Sequence, residues 1–138
     1  MLRLAGRMEK AGKYWAIEVP LLYVYTQGRT KKEAFEMLID AIESLAEEQD
    51  FFEIIPGSGE RFEICSKDAA RFTAFILKRQ RQKQGLSLSD MSKRLGRKSR
   101  NTYARFEQGK SDPTISNLLK LLSAVNSCVD ITISETDR

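Results

Sequence analysis

The chain has 138 residues, a net charge of +4 and no histidine. That length fits one domain or two very small ones, and a composition 41% hydrophobic and 30% charged is that of a globular chain rather than a disordered one. No window approaches 18 consecutive apolar residues, so no membrane-spanning helix is expected; without histidine, Ser-His and Cys-His nucleophile pairs and most zinc sites drop out as well.

The start, MLRLAGRMEKAGK, lacks the apolar run of a secretory signal, and Cys65 and Cys128 form no CxxC pair. A cytoplasmic chain with two plain thiols, no metal and no cofactor is the expectation. The charge is divided unevenly. Residues 1–69 carry nine Lys/Arg against thirteen Asp/Glu, while residues 70–138 carry fourteen against six. Two modules with different partners are expected, residues 1–66 and residues 67–138, the second suited to a polyanion.

In chain order, Leu2 and Leu4 alternate with Arg3, and a turn follows near Ala11-Gly12. Tyr14, Ala16 and Glu18 alternate with Trp15, Ile17 and Val19, a strand that Pro20 ends or places at an edge. Tyr23-Val24-Tyr25-Thr26 is a further strand, closed by Gly28. Thr30 and Glu33 then have the spacing of a capping box, and Ala34, Phe35, Leu38, Ile39, Ile42, Leu45 and Ala46 make one apolar stripe of a helix. The opposite face carries Glu36, Asp40, Glu43, Glu47 and Glu48. Residues 51–55 and 61–65 read as strands on either side of Pro56-Gly57-Ser58-Gly59. The fold class expected is α+β: a small sheet with one helix on a face, then an all-α module.

That second module shows four helices. One runs from a cap at Ser66 or Asp68 to Gly85; a second from Leu88 to Leu95, capped by Ser87; a third, capped by Ser99, from Arg100 to Glu107; a fourth follows Thr114 through Ile115, Leu118, Leu119, Leu121, Leu122 and Val125. Two short helices joined by a tight turn, the second basic and polar, form a helix-turn-helix. Tyr103 and Phe106 are expected to face inward, leaving Arg100, Asn101, Ala104 and Arg105 toward a major groove. Arg100 suits guanine and Asn101 suits adenine, while Arg97, Lys98, Ser99 and Lys110 suit phosphates. Thirteen Lys/Arg against three Asp/Glu between residues 70 and 125 fit the same double-stranded DNA partner. The alternating tail from Cys128 to Ser134 reads as a terminal strand, paired within the chain or across the two-fold axis of a dimer.

The segments GLSLSDMSKRLG and FEQGKSDPTISNLLKLLSAV resemble the Cro/repressor (Xre-like) helix-turn-helix family. The N-terminal half, through Tyr14-Trp-Ala-Ile-Glu-Val-Pro20, Tyr25-Thr-Gln-Gly28 and Thr30-Lys-Lys-Glu-Ala34, resembles the HicB antitoxin domain. That resemblance implies a sheet like a partial ribonuclease H fold without its catalytic carboxylates. It also implies a partner, a small basic HicA-type toxin that cleaves mRNA, and repression of a shared operon.

The expectation is therefore a type II antitoxin without enzymatic activity, acting as a homodimer or higher homo-oligomer. Its toxin-binding candidates are Glu36, Asp40, Glu43, Glu47, Tyr23 and Tyr25, although the acids also fit a plain solvated face. Two rivals stand beside it. One is a stand-alone repressor whose first module senses a ligand or oligomerises. The other is a nuclease on the same sheet, which the lack of clustered carboxylates argues against: Glu18 and Glu63 lie on strand candidates, neither with a carboxylate neighbour on its strand.

Overall fold

The computed structural model describes residues 1–96 and 100–135, with backbone alone at Arg100. Five antiparallel strands form the first half: β1 (Leu2–Ala11), β2 (Tyr14–Val19), β3 (Val24–Gly28), β4 (Glu53–Pro56) and β5 (Arg61–Ser66), in the order β3-β2-β1-β5-β4. The period-two pattern fixes which face is buried, because a one-residue slip would turn every apolar side chain to water. Leu4 pairs with Ile64, Met8 with Ile17, and Val19 with Val24. All six are buried and share one face of the sheet.

Helix α1 (Lys31–Ala46) covers that face with Ala34, Leu38 and Ile42, each fully buried. Its start is fixed by Thr30, whose hydroxyl accepts from the Glu33 N–H at 3.1 Å. The approach of β3 to α1 depends on Gly28, where a Cβ would stand 2.4 Å from the Ala34 backbone nitrogen. The helix ends on Glu47, which takes the left-handed conformation at φ 54° that glycine more often supplies. Leu45, expected in the apolar stripe, is exposed, since it lies at the margin of the arc that the sheet covers.

Helix α2 (Ala69–Lys83) is shared by both halves. Phe72, Phe75 and Ile76 pack into the same continuous core as the sheet, with Phe51 edge-on to Phe72 and Phe75. Gln80 is almost fully buried and joins the two halves. Its amide donates to the Leu21 carbonyl at 2.7 Å, and its oxygen accepts from Asn126 at 3.2 Å. Arg79 adds a bond to the Leu22 carbonyl at 3.1 Å. A buried amide with both ends satisfied fixes orientation as well as distance.

Helices α3 (Leu88–Arg94), α4 (Arg100–Glu107) and α5 (Ile115–Val125) follow. Gly85, Gly96 and Gly109 lie just beyond α2, α3 and α4, each with φ between 66° and 69°. Ile115 and Leu119 are exposed, because α5 buries only the arc containing Leu121, Leu122 and Val125. The terminal strand expected from Cys128 to Ser134 does not form: the tail joins neither edge of the sheet, and an extended segment without a ladder partner has nothing to bond. Ile131 and Ile133 are left exposed.

Candidate nucleic-acid interface

Helices α3 and α4 form the pair expected to meet DNA. The start of α3 is held by a reciprocal capping box: the Ser87 hydroxyl accepts from the Asp90 N–H at 3.0 Å, and the Asp90 carboxylate accepts from the Ser87 N–H at 2.8 Å. These bonds hold the Asp90 carboxyl below its ordinary range. The stability it adds is present above the ordinary aspartate range and is lost as pH falls through the lowered value.

The anchor of α4 is at its C-terminal end. Glu107 accepts from Arg81 at two atoms, Nε to Oε1 at 2.6 Å and Nη2 to Oε2 at 3.0 Å. The third Arg81 nitrogen donates to the Leu86 carbonyl at 2.9 Å, in the turn between α2 and α3. The pair is largely buried, with side-chain exposures of 15% and 7%. One guanidinium therefore ties together α2, the following turn and α4.

Beside it Tyr103 is fully buried, and its hydroxyl has no hydrogen-bond partner among the described residues. Burial, and after it the Glu107 carboxylate, pushes that hydroxyl far above the ordinary tyrosine range. Removing an unsatisfied buried hydroxyl without changing shape is expected to be neutral or favourable. Tyr103→Phe should raise the urea midpoint slightly, by about 0.5–1 kcal/mol in stability. A loss of more than that would mean the hydroxyl has a partner in the folded chain.

On the outward side of α4, Asn101, Thr102 and Arg105 are exposed, and Lys110 is exposed just beyond the helix. Ala104 is not on that side. It is buried, because Tyr103, Phe106 and Glu107 together turn the inward face further round the helix than two aromatics alone would. Thr102 takes its place in the outward row. Its signal is the Arg81–Glu107 pair, which joins residues 26 positions apart and has no local mark in the sequence. Arg97, Lys98, Ser99 and the side chain of Arg100 lie outside the described residues.

Not every cation in this half is available to a polyanion. Arg81 is paired with Glu107 and Arg71 with Glu48 and Asp68, while Arg79 and the exposed Arg94 bond to backbone carbonyls, Arg94 to that of Ala124 at 2.9 Å, and keep their charge. Lys93, Arg105, Lys110 and Lys120 are exposed and form no ion pair among the described residues.

Residues 77–128 match the family model described as helix-turn-helix. This segment is a DNA-binding helix-turn-helix of the kind that transcription regulators carry. No curated protein matches the chain. The matched stretch begins inside α2 and covers the α3–α4 pair and α5, so the clamp through Arg81 and Glu107 belongs to the helix-turn-helix itself.

The N-terminal candidates are spread over two surfaces. Glu36, Asp40 and Glu47 are exposed on α1 and make no ion pair among the described residues. Glu43 differs: it is half-buried and accepts from the Asp50 N–H at 3.0 Å, which shapes the exit from the helix. Tyr23 and Tyr25 are exposed at and beside β3, Tyr23 with φ 53° and with Lys83 Nζ 5.4 Å from its ring centre. Trp15 is half-buried against the core, with Lys10 and Lys31 ammonium groups 5.2 and 4.8 Å from its ring centre. Of the four strand carboxylates, Glu18 pairs with Arg7 and Glu63 with Arg3 across strands, and Glu9 on β1 and Glu53 on β4 are the other two. Among the described residues no three His, Cys, Asp or Glu side chains converge as a metal site would require.

Proposed function

We propose that this chain is a cytoplasmic type II antitoxin of the HicB kind, which masks a basic HicA-type toxin with residues 1–66 and represses its own operon through residues 67–138. The observation that carries the reading is the division of labour between two surfaces. A helix-turn-helix with exposed Asn101, Thr102, Arg105 and Lys110 shares one core with a module whose helix presents Glu36, Asp40 and Glu47, all unpaired among the described residues. A carboxylate face of that kind speeds and selects docking of a cationic partner. The proposed activity is binding at both surfaces, with no catalysis and no cofactor.

Repression would come from a dimer, because helix-turn-helix modules read two half-sites about one helical turn apart. The exposed Ile115, Leu119, Ile131 and Ile133 support association of this half with a second copy, which would supply the ladder partner the tail lacks in the single chain.

The test is titration of the chain with the product of a small basic reading frame adjacent to its gene, and with the DNA upstream. A stable protein complex and salt-dependent binding of that DNA support the reading. DNA binding without a protein partner would leave a stand-alone repressor. Arg100→Ala should weaken operator binding by about 1–3 kcal/mol and relax the preference at one base pair. Equal weakening on every sequence would make Arg100 a phosphate contact instead.

A further inference from the structure

Residues 1–66 carry eight Lys/Arg against twelve Asp/Glu, yet five of the eight cations collect in one place. They are Lys10, Lys13, Arg29, Lys31 and Lys32. All five are exposed, and none forms an ion pair among the described residues. Arg3 and Arg7, by contrast, are paired with carboxylates across strands.

The sheet itself gathers them. Lys10 on β1 is opposite Trp15 on β2, and Trp15 is opposite Gly28 on β3, so the three stand in one row across the strands. Lys13 lies in the turn between β1 and β2, and Arg29 follows β3 directly. Gly28 lies against the first turn of α1, where a Cβ would stand 2.4 Å from the Ala34 nitrogen, and this contact brings Lys31 and Lys32 to the same end. The side chains meet there. The Lys10 and Lys31 ammonium groups share the Trp15 ring, at 5.2 and 4.8 Å from its centre. Glu9 and Glu33 are the neighbouring acids, and neither is paired with a member of the cluster.

This placement works against the fold. Like charges brought together without a counter-charge repel. Lys31 and Lys32 occupy the first turn of α1, where the helix dipole is already positive and acids are favoured. Departures from local rules of this kind mark functional surfaces. A polyanion relieves the repulsion and the dipole conflict together.

Duplex DNA fits better than a single strand. Single-strand sites stack bases on open aromatic faces. Here Trp15 is half-buried and its ring is already engaged by two ammonium groups, and Tyr14 points to the opposite side of β2. The chain also carries a helix-turn-helix, which holds duplex DNA at high local concentration. The cluster is apart from that module. It lies at the Tyr14 end of β2, whereas the turn Pro20–Leu22 that bonds to Arg79 and Gln80 of α2 follows the other end, about 17 Å away.

We propose that Lys10, Lys13, Arg29, Lys31 and Lys32 form a second contact for duplex DNA, which takes phosphates without reading sequence. It adds affinity and salt dependence and leaves base preference to the helix-turn-helix. It holds whether or not the chain is an antitoxin.

Trp15 is the one tryptophan of the chain, so its emission reports on this cluster. The test uses the full chain with Arg105→Glu and Lys110→Glu, which set the helix-turn-helix against DNA. A short random-sequence duplex should change Trp15 emission saturably at low salt, as phosphates draw Lys10 and Lys31 from the ring, and added salt should reverse the change. Lys13→Glu, Arg29→Glu and Lys32→Glu in the same background should weaken binding by about tenfold or more and reduce the slope of log K against log salt by about 2–3. An unchanged urea midpoint in that variant shows that the loss is not one of folding. An emission that the duplex does not move, or an affinity and salt slope unmoved by the three reversals, overturns the proposal. Tighter binding of single-stranded RNA or of poly-glutamate than of the duplex overturns the assignment to DNA.

Discussion

Glu107→Ala should lower the stability of the folded chain by about 3 kcal/mol, read from the urea midpoint at constant slope. The substitution leaves Arg81 with its charge in a site only 15% exposed, its fork bonded to the Leu86 carbonyl alone. Breaking one partner of a buried pair is costly for that reason, whereas replacing both partners by apolar residues of similar volume is often near neutral. Arg81→Leu with Glu107→Leu should therefore recover more than half of the loss. Operator binding should not recover with it, because the clamp fixes the end of α4 against α2, and the outward row of Asn101, Thr102 and Arg105 depends on that angle. If binding recovers fully along with stability, the pair supports the fold and does not aim the helix.

Reversing three charges on α1, Glu36→Lys, Asp40→Lys and Glu47→Lys, should weaken the complex with a basic partner by about a hundredfold or more, since like charges brought together at an interface cost several kcal/mol. Glu43 is excluded because it holds the Asp50 N–H, and its loss would disturb the helix exit instead of the surface. Operator binding should be unchanged within error, as the three residues lie in the other half of the chain. A partner complex of unchanged affinity, measured by titration calorimetry, would move the docking surface off α1 and toward the open face of the sheet.

The features legible in the sequence were the local ones. Thr30, Ser87 and Thr114 cap the helices they precede, because an Ncap hydroxyl needs only the amide three residues ahead. Gly85, Gly96 and Gly109 end helices in the left-handed region for an equally local reason. Alternation in β1 and β2 gave their buried face, since the side-chain period of a strand admits one answer once a core exists.

Features depending on distant residues were hidden. Arg81 and Glu107 are 26 positions apart, and nothing in either neighbourhood announces the pair. Without it the inward face of α4 is set by Tyr103 and Phe106 alone, which wrongly frees Ala104 and overlooks Thr102. The charge count misled in the same way: Arg71 and Arg81 are paired with carboxylates within the fold, so fewer cations are left for DNA than the composition suggests. The tail has the alternation of a strand, but pattern supplies only one side of a ladder, and no edge within the chain supplies the other.

The most direct test of the proposed antitoxin role is a growth assay. The product of the small reading frame beside this gene is expressed alone, with the full chain, and with the variant carrying the three reversed charges on α1. Arrest is expected with the neighbour alone, growth restored by the full chain, and arrest again with the variant. A neighbour that does not arrest growth, or rescue as complete with the variant as with the native chain, would contradict it.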